Sequence, residues 1–195
     1  MSRTSQIQRT TGETDVQLSL DLDGTGAGER ETGVGFFDHL LDAVARHGLL
    51  DLDVRVEGDL DTGPHHTVED TGIALGQAID EALADRAGIR RFGHAVVPMD
   101  EARACAAIDI SGRPFMALEG SFGAERVGDF DTDLAEEFFR AVANAAKLTL
   151  HVRLEAGTNA HHIVEASFKA FARALRAAAE DDERVEGVPS TKGVL

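Results

Sequence analysis

The chain has 195 residues, of which 43% are hydrophobic and 28% charged, so it is long and apolar enough to form a compact globular domain. Its formal net charge is −16, which disfavours binding to nucleic acid or to an anionic membrane surface. The single cysteine excludes an internal disulfide, and the sequence shows neither a signal peptide nor a run of about 20 apolar residues, which predicts a cytoplasmic protein.

The first half of the sequence predicts a strand, a helix, a second strand and a second helix. Apolar residues alternate over 15–23 and again over 50–56, as they do in strands with one buried face. Residues 36–47 carry apolar side chains on one face and are followed by Gly48, which predicts a helix that ends there. A longer helix is predicted over 64–84, with a proline at its first position.

The second half repeats this order of elements. Its strands are predicted at 102–110 and 148–154, and its helices at 133–146 and 160–179. Asn159 is the predicted N-cap of the last helix, and 187–195 should form an extended tail. We therefore predict an α+β fold with an internal duplication of a strand-helix-strand-helix unit, sheet packed against helices. The first half comprises residues 1–92 and the second 93–195, in one compact domain.

Matching motifs support the duplication. Residues 65–69 read His-His-Thr-Val-Glu, and residues 161–165 read His-His-Ile-Val-Glu. When the two halves are aligned on the elements upstream, with a difference of two residues in the connecting loop, His39 falls opposite Glu137. Two copies of a His-His-x-Val-Glu motif at matched positions favour a shared function over chance.

These motifs predict a pair of metal sites. Adjacent residues on a helix point about 100° apart, so two neighbouring histidines should serve different metal ions. Each motif glutamate lies three and four residues from its histidines, on the same face of the helix. Imidazole and carboxylate ligands suit manganese, zinc or iron. The candidate ligands are His39, His65, His66, Glu69, Glu137, His161, His162 and Glu165, enough for two sites of four.

Seven motifs occur in order along nearly the whole chain, at 9–14, 35–41, 65–70, 91–93, 111–114, 161–166 and 189–193. Together they resemble the imidazoleglycerol-phosphate dehydratase family of histidine biosynthesis. The resemblance implies a duplicated α+β fold of the ribosomal protein S5 domain 2-like kind, and trimers arranged into a 24-subunit homo-oligomer. It also implies two manganese ions per active site, at subunit interfaces.

The reaction implied by the resemblance is the loss of water from imidazole glycerol phosphate, a small-molecule phosphate ester, to give imidazole acetol phosphate. The imidazole ring can accept electrons if it is held as an imidazolate between two metal ions. The resemblance also implies that Glu13 is the general acid/base. The substrate phosphate would be bound by Arg91, Arg113, Lys169, Ser190 and Lys192, and His47 is a further candidate substrate contact.

Three points stay open at this stage. The family position matching Glu137 is histidine in some members and glutamate in others, so Glu137 is either a ligand or a neighbour that leaves its position to water. A different enzyme with two metal ions, such as a hydrolase, would use the same ligands. A protein that binds metal or forms a shell without catalysis would also carry them.

Overall fold

A computed structural model describes residues 3–195. It contains the four predicted strands and four predicted helices in the predicted order, together with six further strands. The first half contains β1 (Thr4–Thr10), β2 (Thr14–Asp21), β3 (Arg30–Glu31), α1 (Gly35–Gly48), β4 (Asp51–Gly58), a short 3₁₀ helix (Leu60–Thr62) and α2 (His65–Leu83). The second half contains β5 (Phe92–Met99), β6 (Ala102–Asp109), β7 (Phe115–Glu119), β8 (Arg126–Val127), β9 (Phe130–Asp131), α3 (Asp133–Ala145), β10 (Thr149–Ala156) and α4 (Ala160–Ala179). None of the helices within residues 3–195 is both long and apolar enough to cross a membrane.

Each half forms one four-stranded sheet of the same topology. The strand order is β1-β2-β4-β3 in the first half and β5-β6-β10-β7 in the second. In each sheet three strands are antiparallel to their neighbours, and the last strand, β3 or β7, runs parallel to β4 or β10. Strands β8 and β9 pair separately as a short hairpin before α3. The matching topologies confirm the predicted duplicated α+β fold.

The first strand of each sheet was not predicted from the sequence. Both β1 and β5 are edge strands that pair with one neighbour only. Ser5 is the one fully buried residue of β1, and Gly93 the one fully buried residue of β5. An edge strand with so few buried side chains lacks the apolar alternation that marks a half-buried strand. Pro98 in β5 further weakens the strand pattern, although an edge position tolerates it.

The helices join the two halves into one core. Helix α2 packs on β1 and β2 and against α3, whereas α4 packs on β5 and β6 and against α1. The second helix of each half therefore contacts the first helix of the other half. Fully buried phenylalanines fill the space among the helices, at positions Phe37, Phe138, Phe139, Phe168 and Phe171. Because the core is shared, the starts of α2 and α4, which carry the candidate ligands, are fixed relative to α1 and α3.

Helices α2 and α3 approach each other closely because two glycines lie at their crossing. A Cβ atom at Gly76 would lie 2.6 Å from the Cβ of Ala145 and 2.7 Å from the carbonyl oxygen of Val142. A Cβ atom at Gly72 would lie 2.8 Å from the Cβ of Ala141. Comfortable carbon contacts need about 3.5–4.0 Å, so neither position has room for a side chain.

Helix α4 begins where the sequence predicted. The Oδ1 atom of Asn159 accepts a hydrogen bond from the backbone N–H of His161 at 3.0 Å, which confirms Asn159 as the N-cap. This cap satisfies one of the free N–H groups of the first turn. It also fixes the backbone that carries His161 and His162.

Candidate metal and substrate site

Three predicted ligands converge where α1 packs against α4. His39 on α1 and His161 on α4 both place Nε2 near Oε2 of Glu165, at 2.9 and 3.0 Å. One ligand atom from each of these residues lies within 4.8 Å of the others. We call these three residues the first cluster. Two imidazole nitrogens and a carboxylate oxygen at this separation are a donor set that suits a divalent transition metal.

Aromatic residues hold the histidines of the first cluster in place. The ring centroid of Phe36 lies 4.9 Å from that of His161 and 6.1 Å from that of His39, and Phe130 packs against the edge of Phe36. Phe36, Phe130 and His161 also line a cleft of about 550 Å³. That volume lies within the range of small-molecule binding sites.

Glu165 stays ionised although its side chain is buried, with only 6% of the residue exposed. Burial acts to raise the pKa of its carboxyl group, but hydrogen bonds from His39 and Lys169 and the charge of Lys169 lower that pKa to about 2. The two carboxylate oxygens have different partners: Oε2 faces the histidines, and Oε1 lies 2.6 Å from Nζ of Lys169. The structure thus places Lys169 beside the first cluster.

The duplication places a second set of candidate ligands at the crossing of α2 and α3. We call His65, Glu69 and Glu137 the second group. Nε2 of His65 lies 3.7 Å from Oε2 of Glu69, and Glu69 and Glu137 line one cavity of about 330 Å³. The second group is more open than the first cluster, and Arg140 lies 3.7 Å from Glu137. By the duplication it is the counterpart of the first cluster, with Glu137 in the place of His39. Among the described residues, however, only the first cluster brings three ligand atoms within 4.8 Å of one another.

The second histidine of each motif contacts a carboxylate that belongs to neither set. The rings of His65 and His66 are inclined by 86°, and those of His161 and His162 by 88°. Nδ1 of His66 lies 3.0 Å from Asp59, and Nδ1 of His162 lies 2.8 Å from Glu101.

Each of these hydrogen bonds to a carboxylate raises the pKa of the histidine that makes it. Asp59 raises the pKa of His66, and Glu101 raises the pKa of His162. The same contact with His162, together with backbone hydrogen bonds, lowers the pKa of Glu101 to about 2.

Glu13 lies in the β1–β2 turn, close to the start of α2. Its Oε1 atom lies 3.6 Å from Nε2 of His66, the ring nitrogen opposite Asp59. The buried Asp70 of α2 holds this turn in place by pairing with Arg9 at 2.7 Å and accepting a hydrogen bond from Thr14. The structure therefore places Glu13 next to His66, a candidate metal ligand on α2.

Two predicted phosphate-binding residues, Arg91 and Arg113, lie near the C-terminal tail. Arg91 donates two hydrogen bonds to Asp109, at 2.7 and 3.1 Å, and a third to the carbonyl oxygen of Pro189 in the tail. Arg113 lies 3.9 Å from the same Asp109, and its side chain is 65% exposed. Oγ of Ser190 accepts a hydrogen bond from the backbone N–H of Lys192, and Lys192 is exposed.

Lys169 lies at the other end of β5. Nζ of Lys169 lies 3.8 Å from Sδ of Met99, the last residue of β5, whereas Arg91 immediately precedes the first. Eight residues of strand separate the two ends by about 24 Å. His47 lies on α1, and burial and the positive charges of Lys169 and Arg173 lower its pKa. Within one chain, the predicted phosphate-binding residues therefore do not form a single cluster.

Three acidic residues near the predicted site residues were missed by the sequence analysis. Asp59 and Asp109 contact His66 and Arg91, and Asp70 fixes the turn that carries Glu13. Asp70 is the last residue of the motif at 65–70, and Asp109 falls two residues before the motif at 111–114. Closeness to a motif was the only sign in the sequence that Asp70 and Asp109 are important, and it does not reveal a hydrogen bond to a residue far away in the chain.

Comparison with known proteins identifies the family. The sequence model of imidazoleglycerol-phosphate dehydratase matches residues 32–175, which is most of the chain. The chain belongs to the imidazoleglycerol-phosphate dehydratase family. This confirms the predicted resemblance and the enzyme class, because the family's reaction is that of a lyase in histidine biosynthesis and its substrate is a small molecule.

Relatives of this dehydratase match along its full length. An imidazoleglycerol-phosphate dehydratase of Gluconacetobacter diazotrophicus is 60% identical over 195 residues, covering 100% of this chain and 98% of the relative. One of Granulibacter bethesdensis is 59% identical, with both chains fully covered.

Solved structures of the family share the fold. The dehydratase from Staphylococcus aureus subsp. aureus N315 is 42% identical, with a TM-score of 0.84 over 92% of this chain and 99% of that one. The dehydratase from Pyrococcus furiosus in complex with (S)-C348 is 38% identical, with a TM-score of 0.85 over 97% of this chain and 100% of that one.

Proposed function

We propose that this dehydratase removes water from imidazole glycerol phosphate to give imidazole acetol phosphate, through an imidazolate held between two manganese ions. The observation that carries the proposal is the first cluster, in which His39, His161 and Glu165 bring three ligand atoms within 4.8 Å of one another. The buried, ionised Glu165 supplies the negative charge that a divalent cation needs. We further propose that the reaction takes place in the cytoplasm.

The first cluster would hold one ion, and the second group would hold the other. When bound, the two ions would place positive charge at both nitrogens of the substrate ring and so stabilise its deprotonated form. Glu137 is included as a ligand because it lines the same cavity as Glu69. Each set leaves room for ligands from elsewhere, since three protein ligands do not fill the coordination shell of manganese.

His66 and His162 lead us to propose that the sites are completed by other copies of the chain. Both rings are nearly perpendicular to those of their neighbours, and each contacts a carboxylate outside the ligand set on its own helix. Contribution of these histidines to sites on adjacent copies would give each ion a fourth protein ligand. The proposal therefore includes a homo-oligomer, built from trimers into a 24-subunit assembly.

The same assembly would unite the phosphate-binding residues. Within one chain, Arg91 lies at the start of β5 and Lys169 at its end, and these ends are about 24 Å apart, a span larger than one phosphate group can bridge. A neighbouring copy that brings its Arg113 and Lys192 towards the first cluster would place them near Lys169. Charge-assisted hydrogen bonds from such a set bind a phosphate strongly, even on a chain with a net charge of −16.

Glu13 is the proposed general acid/base at the reacting carbons. Its carboxylate is exposed in the β1–β2 turn, and Oε1 points towards the start of α2. From this position it would take a proton from carbon and return a proton to the departing hydroxyl group. The cleft beside Phe36 and Phe130 would exclude water from the ring during the transfer.

Metal reconstitution tests the proposal. Protein stripped of metal with a chelator should not form the ketone product from imidazole glycerol phosphate, and added Mn²⁺ should restore turnover without release of inorganic phosphate. H162A should lose both metal and turnover, and E13Q should lose turnover but keep the metal. H151A, on the exposed face of β10, is the matched control and should behave as the wild type. Full turnover by the stripped enzyme, or phosphate release in place of the ketone, would overturn the proposal.

A further inference from the structure

His66 and His162 share an arrangement that their neighbours lack. In each, Nδ1 lies within hydrogen-bond distance of a carboxylate, Asp59 at 3.0–3.1 Å or Glu101 at 2.8 Å. His161, by contrast, contacts the glutamate of its own motif through Nε2, at 3.0 Å. The second histidine of each motif is thus held from outside its helix, and only its Nε2 is left for a metal.

The two carboxylates reach this arrangement from different places in the fold. Asp59 lies between β4 and α2, in the loop that leads into the first motif. The equivalent loop in the second half, residues 157–159, is shorter and reads Gly-Thr-Asn, so it carries no acid. Glu101 fills this role from the β5–β6 turn, and its Oε1 also accepts hydrogen bonds from the backbone N–H groups of Thr158 and Asn159.

Glu101 also shows how the two halves have diverged. Its counterpart in the duplication is Glu13, in the β1–β2 turn. Glu13 faces Nε2 of His66 at 3.6 Å, whereas Glu101 faces Nδ1 of His162 at 2.8 Å. Equivalent glutamates therefore approach opposite nitrogens of equivalent histidines. Glu101 lies on the side away from the metal-binding nitrogen, where it cannot be the counterpart of a general acid/base.

A neutral histidine has one protonated ring nitrogen and one with a free lone pair. A carboxylate that accepts the Nδ1 proton fixes the tautomer in which Nε2 is free, orients the ring, and makes Nε2 a stronger ligand. We propose that Asp59 and Glu101 are positioning residues that hold His66 and His162 for metal binding through Nε2. This inference rests on the proposed function, in which both histidines are metal ligands.

Manganese titration of the metal-free full-length protein, followed by the electron paramagnetic resonance signal of free Mn²⁺, tests the inference. D59N and E101Q keep the shape of each side chain and one oxygen acceptor, but remove the charge. Each should weaken Mn²⁺ binding about 10- to 100-fold at one of the two sites per chain and spare the other. E57Q, an exposed glutamate on β4, is the matched control and should leave both sites unchanged. D59N, whose carboxylate bonds to Thr62 and His66 and not to the residues that start α4, separates loss of metal from loss of the α4 cap.

A double-variant cycle separates the inference from the proposed function. If Glu101 acts through His162, E101Q should cause no further loss of affinity in an H162A background, and D59N none in an H66A background. Equal losses in the presence and absence of the histidine would overturn the positioning role, as would wild-type affinity in both single variants. If H66A and H162A themselves bind Mn²⁺ like the wild type, the proposed ligand set is wrong.

Discussion

Gly76 of α2 sets how closely two ligand-bearing helices approach, and G76A should separate them. The added Cβ would lie 2.6 Å from the Cβ of Ala145, 2.7 Å from the carbonyl oxygen of Val142 and 2.9 Å from the backbone nitrogen of Ala146. Two of these neighbours are backbone atoms of α3 and its C-terminus, which cannot rotate away. To reach ordinary contact distances the helices must move apart by about 1 Å.

The size of the effect follows from two opposing terms. Overpacking a tight core contact costs about 1–3 kcal/mol, and the fixed backbone neighbours place this site in the upper part of that range. Replacing glycine by alanine inside a helix contributes about 1 kcal/mol in the opposite direction. The net loss of about 1–2 kcal/mol should lower the Tm by about 2–8 °C for a chain of this length. Movement of α2 should also weaken Mn²⁺ binding, because Glu69 and Glu137 would separate.

Calorimetry of the metal-free protein checks this prediction without a contribution from bound metal. G35A is the control, because Gly35 at the start of α1 has nothing within 4 Å of the added Cβ. Its Tm should be equal to or slightly above that of the wild type. The reasoning would be refuted by G76A melting as high as G35A, since the close contact would then impose no constraint.

Three further predictions concern charge. Glu165, with a pKa lowered to about 2, stabilises the fold fully above its ordinary pKa of 4.5, and this stabilisation is lost as the pH falls towards 2. The wild type should therefore lose more unfolding free energy than E165Q between pH 5 and pH 2, as measured by urea denaturation. The raised pKa values of His66 and His162 act in the opposite direction: they stabilise the metal-free fold below about pH 6.5, and this is lost as the pH rises through the raised values. In the double variant D59N/E101Q, the unfolding free energy should fall less between pH 6 and pH 8.5 than in the wild type. An unchanged slope of unfolding free energy against pH would contradict the stabilising role of His66 and His162. R113A should raise KM about 10- to 100-fold with little change in kcat, because it would remove the proposed charge-assisted hydrogen bond to the substrate phosphate. K147A, whose amine pairs with Asp80, should leave both constants unchanged, and equal effects of the two variants would contradict a specific role for Arg113.

The sequence predicted best the elements that have a strong apolar period. Helix α4 was predicted at 160–179 and lies there, because its apolar face is continuous and Asn159 marks its start. Glu165 and Lys169 are four residues apart in this helix, a spacing that places them on one face, and the structure shows their ion pair at 2.6 Å. Both features depend on helix geometry alone, which a sequence displays directly.

Contacts between distant segments were not predicted. The hydrogen bonds from Arg91 to Asp109 and the approach of His162 to Glu101 join residues from different strands, turns and helices. The local periodicity of apolar residues does not indicate such a contact, since the contact depends on how sheets and helices pack. The separation of Lys169 from Arg91 was missed for the same reason. The resemblance to the family assigns Arg91 and Lys169 the same role, but within one chain the fold places them at opposite ends of β5.

The exchange of helix contacts between the halves has a consequence for how the protein is made. Helix α2 ends at Leu83, but its partner α3 begins only at Asp133. The partner of α1, helix α4, is synthesised later still. At a synthesis rate of about 5–20 residues per second, the first half leaves the ribosome several seconds before the surfaces that cover it exist. During that interval the apolar faces of α1 and α2 are open to other nascent chains. Folding to completion must therefore follow translation of the last helix, and the incomplete chain is prone to aggregation until α4 has been made.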